Sequence, residues 1–279
     1  MNTDRTQKLS SNRQAFAALH REGCFVIPNP WDVGSARYLE SLGFKALATT
    51  SSGFAWSRAH ADNAISRDMA LEHLHELVNG VSVPVNADFE SGFANTPAGI
   101  EESVSLAVST GVAGLSIEDS TGDAARPLFS LDEAVERMRA ARKAIDHTGG
   151  DTLLVGRAEC FLVGRPDMSE TITRLQAYAN AGADCLYAPG ISTPEQIREI
   201  VDAVAPKPFN LLVGSASKLT VTEIAALGVR RISVGGAMAR SAWGGFMRSA
   251  QLLAAEGKFD GFRDAASGKE LNALFKVSQ

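Results

Sequence analysis

Along this chain a short apolar run, a loop of Gly, Ser, Asn or Asp, and a longer amphipathic stretch follow one another repeatedly. The apolar runs fall at 24–28, 46–50, 83–89, 114–119, 153–159, 185–189, 209–213 and 231–235, giving eight candidate strands. Helical spacing occupies the intervals near 34–42, 68–79, 97–110, 131–146, 168–181, 194–204, 220–227 and 238–256, preceded by one helix over 5–22 with Phe16 and Leu19 on a common face. Several helices open on an N-terminal signal: Thr96-Pro97, Ser130 with Glu133, Thr193-Pro194, and Thr220 with Glu223. Others close on a glycine that feeds the next strand, at Gly43, Gly111, Gly182 and Gly228. Strict alternation of near-continuous apolar strands with helices predicts a parallel sheet covered by helices, and eight such units predict a (β/α)8 barrel of the TIM type. The competing doubly wound sheet is disfavoured, because no Gly-x-Gly-x-x-Gly follows the first strand and the segment 214–218 is not a P-loop. The chain divides into an N-terminal helix over 1–23, a barrel over 24–256 and a glycine-interrupted helical extension over 257–279 that needs a surface to bury itself on.

Composition narrows the function classes. With 279 residues, 45% hydrophobic and 21% charged, the chain is an ordinary globular protein forming one large domain. A formal charge of −5 without a Lys/Arg cluster argues against nucleic acid as the partner. No run approaches the roughly 18 apolar residues of a membrane span, and the first residues lack the order of a signal peptide, so a cytoplasmic protein with no membrane partner is expected. Cys24, Cys160 and Cys185 are odd in number, far apart and set in apolar runs, which suggests neither disulfides nor a zinc site.

In a barrel the chemistry sits at the C-terminal ends of the strands. There the sequence places Asn29, Trp31 and Asp32, then Thr49, Ser51, Ser52 and Gly53, then Asp88 and Glu90, then Glu118 and Asp119, then Arg157 and Glu159, and finally Asn210, Ser215 and Ser217. Asp88 and Glu90, two apart on a strand, are expected to share a face, where two like charges call for a cation or a shared proton. A hard cation such as Mg²⁺ or Mn²⁺ suits this carboxylate-rich mouth, and Arg157 suits a substrate carboxylate. The competing reading of Glu118 and Arg157 is an internal salt bridge. His73 and His75 cannot share a helical face, no Gly-x-Ser-x-Gly elbow is present, and His60 enters only through its position in a loop beside Asp62.

These motifs together resemble the isocitrate lyase / phosphoenolpyruvate mutase superfamily. The resemblance runs through Asn29-Pro30-Trp31-Asp32, Ala48-Thr49-Thr50-Ser51-Ser52-Gly53, Asp62, Ala87-Asp88-Phe89-Glu90-Ser91-Gly92-Phe93, Ile117-Glu118-Asp119 and Gly156-Arg157-Ala158-Glu159. It implies a barrel whose last helix is exchanged between subunits, a homotetramer built as a dimer of dimers, bound Mg²⁺, and a small 2-oxo or hydroxy carboxylate substrate handled through an enolate. It further implies Asp88 as the direct metal ligand, with Glu90, Glu118 and Asp62 acting largely through metal waters. Ser51, Gly53 and Arg157 would grip the 2-oxo carboxylate beside Trp31 and Ser52, with Asn210 near the reacting end. Two departures stand out. Glu90 replaces an aspartate. The segment 120–127, Ser-Thr-Gly-Asp-Ala-Ala-Arg-Pro, carries neither the lyases' cysteine loop nor the gate of the mutases and hydrolases, and Tyr187-Ala188-Pro189-Gly190 stands where the lyases place a glutamate. The proton donor of the lyases is therefore missing. The reading that follows is a Mg²⁺-dependent carbon–carbon lyase or decarboxylase on an oxaloacetate-like acid, with a phosphonomutase-like enzyme and a non-catalytic 2-oxo acid binder as alternatives.

Overall fold

A computed structural model describes residues 3–276. Helix α1 (Thr3–Leu19) precedes an alternation of strands and helices: β1 (Phe25–Ile27), α2 (Val33–Ser41), β2 (Leu47–Ala48), α3 (Ser51–Ser57), α4 (Arg67–Gly80), β3 (Val85–Asp88), α5 (Pro97–Ser109), β4 (Gly114–Glu118) and α6 (Leu131–His147). The second half continues with β5 (Leu153–Arg157), α7 (Met168–Asn180), β6 (Cys185–Tyr187), α8 (Pro194–Val204), β7 (Phe209–Leu212), α9 (Val221–Ala226), β8 (Arg231–Ser233) and α10 (Ala237–Glu256). A 3₁₀ turn (Asp260–Phe262) and α11 (Gly268–Leu274) follow. All eight strands pair in parallel in the order β1-β8-β7-β6-β5-β4-β3-β2. Between β1 and β2 the ring is drawn together by the Ala48 amide donating to the Pro28 carbonyl at 3.0 Å, so the fold is the expected TIM-type barrel.

The local signals act as their chemistry requires. Ser130 and Thr220 form reciprocal capping boxes with Glu133 and Glu223, and Thr193 does so with Gln196. Gly43, Gly111, Gly182 and Gly228 all adopt the left-handed conformation that ends a helix and turns the chain into the next strand. The strands are shorter than their apolar runs, because the residues beyond Arg157, for example, leave the ladder and turn toward the mouth. Helix α3 lies where a plain loop is expected; Thr50 caps it by accepting from the Gly53 amide.

One continuous core lies between sheet and helices, and a second, smaller cluster fills the lower barrel with Phe16, Ile27, Ala46, Ala48 and Ala113. Phe16 makes α1 the plug of the barrel's lower end. Its ring occupies the space left by Gly114, where an added Cβ would stand 2.6 Å from Phe16 Cε1. Lys8 Nζ on the Val81 carbonyl at 2.9 Å and Arg13 Nε on the Val112 carbonyl at 3.3 Å hold the plug in place. Emptying that position, as in Phe16→Ala, costs on the order of 3–5 kcal/mol in comparable cores.

Helix α10 is of another kind. Of its 20 residues only Ala239 is buried, while Trp243, Phe246, Met247 and Leu253 face outward, continued by Phe259, Phe262, Leu271 and Phe275. Among the described residues no helix is long and apolar enough to cross a membrane. Residues 277–279 of the expected C-terminal extension lie outside the described residues.

Candidate active site

Strand alternation sends Asp88, Glu118, Arg157 and Tyr187 toward the barrel axis. The ladder pairs Glu118 with Arg157 and Arg157 with Tyr187. Arg157 Nη1 lies 3.2 Å from Asp88 Oδ1 and 3.1 Å from Glu118 Oε2, its Nε contacts Glu159, and its guanidinium covers the Tyr187 ring at 5.1 Å from the centroid. The internal salt bridge between Glu118 and Arg157 therefore exists, as one arm of a cluster gathered on a single guanidinium. Glu159 shares the face of Arg157. Cys160, its neighbour, points the other way and is buried against Thr171 of α7.

Asp88 is held from its other side. Its Oδ2 accepts from both the backbone amide and the hydroxyl of Ser51, each at 2.9 Å, at the first turn of α3. Glu90 does not continue the strand: β3 ends at Asp88, the Gly92 amide closes a turn onto the Phe89 carbonyl, and Glu90 adopts φ 45°. The shared strand face expected for Asp88 and Glu90 is thus replaced by a turn that brings the two acids near each other from different directions. Burial, then Asp88 and Asp62, push the Glu90 carboxyl up to about 8, and its Oε1 is buried without a hydrogen-bond partner. Burial also raises Glu118, opposed by Arg157, and raises Asp62, reinforced by Asp88.

Above this cluster opens a cavity of about 680 Å³. Ser51, Ser52, Asp62, Asp88 and Arg157 lie on its wall. Glu118 and Glu90 sit behind it. Three expected substrate contacts are placed elsewhere. Gly53 is enclosed by Thr50, Trp31 and Ala239, where a Cβ would come within 2.7 Å of Thr50, and its amide is spent on the α3 cap. Trp31 packs on that glycine and leaves the wall to Trp56. Asn210 is fully buried below the cavity, donating to Ser233 Oγ at 2.9 Å and accepting from Arg231 Nε at 2.8 Å.

Of the remaining strand-end residues, Asn29, Thr49 and Ser215 also line the cavity, and the Thr49 hydroxyl accepts from the Asp88 amide at 2.8 Å. Asn29 accepts from the Val234 and Gly235 amides and donates to the Thr49 carbonyl, which stitches β1, β2 and β8 together. Asp32 caps α2 and Ser217 accepts from the Leu219 amide. Asp119 faces the helices, where it accepts from Tyr178 Oη at 2.6 Å, Arg174 Nη1 at 3.0 Å and the Glu159 amide at 2.8 Å. His60 is exposed and off the wall. The segment 120–127 folds on itself as a surface turn, bridged by Ser120 and Leu128, and adds nothing to the cavity. Alternation alone would have found Tyr187, which shares the inward face with Cys185; Arg231 and Trp56 carried no comparable signal.

The donor set suits a hard cation. Asp62, Asp88, Glu90, Glu118 and Glu159 surround one guanidinium, and the orphaned Glu90 oxygen has no positive partner of its own. Among the described residues no three His, Cys, Asp or Glu side chains converge as a closed cage, since Asp88 and Glu118 direct oxygens at Arg157. An ion held here would rest on one or two carboxylates and be completed by water and substrate oxygens, as Mg²⁺ ordinarily is.

A parallel barrel with carboxylates and an arginine at the C-terminal mouth defines an oxygen-handling, polar-substrate site of the TIM-barrel kind. The chain belongs to the phosphoenolpyruvate phosphomutase family, whose model matches residues 16–254, and so to the isocitrate lyase/PEP mutase superfamily. It is 30% identical over 225 residues to the 2-methylisocitrate lyase of Escherichia coli (strain K12), covering 77% of this chain and 75% of that one. It is 29% identical over 203 residues to the oxaloacetate decarboxylase of Paraburkholderia xenovorans (strain LB400), covering 70% and 66%. A crystal structure from Burkholderia cenocepacia J2315, named only as a lyase/mutase, superimposes with a TM-score of 0.93 at 45% identity over 96% of this chain and 97% of that one.

Proposed function

We propose that this protein is a Mg²⁺-dependent (Mn²⁺ being a substitute) carbon–carbon lyase that decarboxylates an oxaloacetate-like 2-oxo acid. The observation that carries the reading is the Arg157 cluster: a preorganised guanidinium beside the Ser51 hydroxyl and amide and the Tyr187 phenol, with no thiol on the cavity wall among the described residues. Asp88, with Glu90, Glu118 and Asp62 acting through waters, would hold the cation, which when bound polarises the 2-oxo carbonyl. Arg157 grips the substrate carboxylate, and Ser51 and Ser52 at the head of α3 border it. In decarboxylation the bond between C3 and the departing carboxylate breaks, CO₂ leaves, and the electron pair flows to the C2 oxygen as an enolate. Arg157 lies where it lowers the energy of that oxyanion. Tyr187, whose phenol is pushed up to about 12 chiefly by burial, stays protonated at neutral pH and is placed to return a proton to C3.

The family match keeps a phosphonomutase-like P–C reaction as the second reading. The deciding assay follows oxaloacetate and phosphonopyruvate with Mg²⁺, against Asp88→Ala as the blank for spontaneous decay. Enzyme-dependent decarboxylation abolished by chelator and restored by Mg²⁺ or Mn²⁺ supports the lyase. Full activity in chelator overturns the metal assignment, and calorimetric binding without any product makes the protein a 2-oxo acid binder.

The outward apolar row of α10 and the C-terminal extension supports a subunit contact on these helices, and we propose that it builds a homotetramer arranged as a dimer of dimers. Light scattering that finds a monomer at micromolar concentration overturns it.

A further inference from the structure

Where β4 and β5 part, their ladder passes from backbone to side chain. The last registered pair is Glu118 with Arg157, and just beyond it the Asp119 amide still donates to the Arg157 carbonyl at 3.2 Å. In a regular parallel ladder the Glu159 amide would next donate to the Asp119 carbonyl. That carbonyl is already taken by the Phe129 amide at 2.9 Å, which closes the surface turn after β4. The Asp119 side chain supplies the missing rung: its Oδ1 accepts from the Glu159 amide at 2.8 Å. One residue therefore holds the carbonyl of Arg157 and the amide of Glu159, the two peptide groups on either side of Ala158.

Those peptides carry the pair on which the mouth is built. Arg157 and Glu159 share a face, and Glu159 takes Arg157 Nε, which leaves Nη1 to Asp88 and Glu118. A guanidinium is a planar fork, so fixing one edge of it fixes the direction of the others. Asp119 itself is 2% exposed and is held on its other oxygen, Oδ2, by Tyr178 Oη at 2.6 Å and Arg174 Nη1 at 3.0 Å. Arg174 is fixed in turn by two bonds to Glu170 and one to the Phe129 carbonyl. An internal ion pair that only joined β4 to α7 would need Oδ2 alone. The Oδ1 contact reaches into the strand end that bears the site.

We propose that Asp119 is a positioning residue: braced on Arg174, its carboxylate sets the peptide of Glu159 and, through the Glu159 side chain, the direction in which the Arg157 guanidinium faces the substrate. The inference rests on the 2-oxo acid reading only for what Arg157 grips.

Two of the three partners of this carboxylate, the Glu159 amide and the Arg174 guanidinium, can only donate. In Asp119→Asn the new amide nitrogen must oppose one of them, and because the charged donor takes the remaining oxygen, the rung to Glu159 is the one lost. That variant is expected to raise KM at least about ten-fold and up to roughly 10²-fold, the scale of a misplaced binding group, with a smaller change in kcat. It is expected to add nothing in an Arg157→Lys background, where the fork is already gone. Tyr178→Phe is the structural control: it removes one donor from Oδ2 and leaves Arg174 and the rung in place, so it should lower the denaturation midpoint with KM and kcat unchanged. The Nε–H proton resonance of Arg157, assigned by its loss in Arg157→Lys, reads the same contact without turnover and is expected to shift in Asp119→Asn but not in Tyr178→Phe. Should Asp119→Asn not fold, Asp119→Ala combined with Arg174→Met removes the buried charge pair together and carries the same expectation. An unmoved resonance in the folded Asp119 variant, an equal rise of KM in Tyr178→Phe, or additive effects in the Arg157→Lys background overturns the proposal. A shifted resonance in a protein that decarboxylates nothing leaves this inference standing and removes the decarboxylase.

Discussion

Arg157 and Tyr187 face one another directly across the β5–β6 ladder, the guanidinium lying over the phenol ring. The ring is thereby held beside Arg157 on the cavity wall, with Ser233 as its hydroxyl's neighbour. Tyr187→Phe is expected to keep the stacking and the substrate affinity while lowering kcat by roughly 10²–10⁴-fold, the usual worth of a placed general acid. Steady-state kinetics that show kcat unchanged would leave the ring a packing role only.

Arg157 compensates Asp88, Glu118 and Glu159 together, so its removal strands three acids in a poorly solvated place. Arg157→Ala is expected to lose activity and to destabilise the metal-free protein by about 3–5 kcal/mol. Arg157→Lys keeps the charge but not the planar fork, and should retain most of the stability with a strongly raised KM. Chemical denaturation alongside kinetics checks both halves; a stable, active alanine variant would contradict the assigned role.

Isocitrate and 2-methylisocitrate should be cleaved at least about 10²-fold more slowly than oxaloacetate is decarboxylated, because no cysteine lies on the cavity wall among the described residues and Tyr187 is matched to the smaller substrate. Cys160, turned toward α7, is not available, so Cys160→Ser should change neither rate. Robust isocitrate cleavage in that variant would reveal another acid and a different role for the segment 120–127.

Two buried histidines predict an acid-sensitive fold. Burial lowers His20 to about 3 and His73, stacked on Phe54 at 3.9 Å, to about 4. Below an unfolded value near 6.5 the unfolded chain binds protons that the native state refuses, so stability is complete above that pH and falls as pH drops toward 4. The slope contributed is at most about 1.4 kcal/mol per pH unit for each histidine. Denaturation midpoints at pH 7.5 and 5 should differ less in His73→Phe than in the wild type; equal differences would show that His73 protonates without unfolding.

Much of this arrangement could be read from sequence because it is local. The glycines after α2, α5, α7 and α9 and the capping residues before α5, α6, α8 and α9 mark turns through their own backbone needs, and the alternation of β4 and β5 places Glu118 and Arg157 without reference to anything distant. Glu90 escaped because extending a strand rule past Asp88 ignores a turn that depends on how the chain meets β4. The family resemblance points Gly53 and Trp31 at the substrate, whereas they pack on each other, since the seven-residue α3 lies in a Ser- and Gly-rich loop with no periodic signal. Arg231 reads as one polar residue opening an apolar strand. Only the closed barrel shows that its side chain reaches Asn86, 145 positions earlier.

The plug beneath the barrel has a consequence for biosynthesis. Helix α1 precedes every strand, yet its anchors at Val81, Val112 and Asp151 lie 73, 99 and 138 residues downstream. Chains leave the ribosome at about 5–20 residues per second, so α1 waits for seconds before its seat exists. During that interval Phe16 and Leu19 are an unshielded apolar pair on a nascent helix, a natural handle for a chaperone. The closure that Phe16 provides comes only when β4 and β5 have been made, so α1, made before every strand of the barrel, docks after most of them.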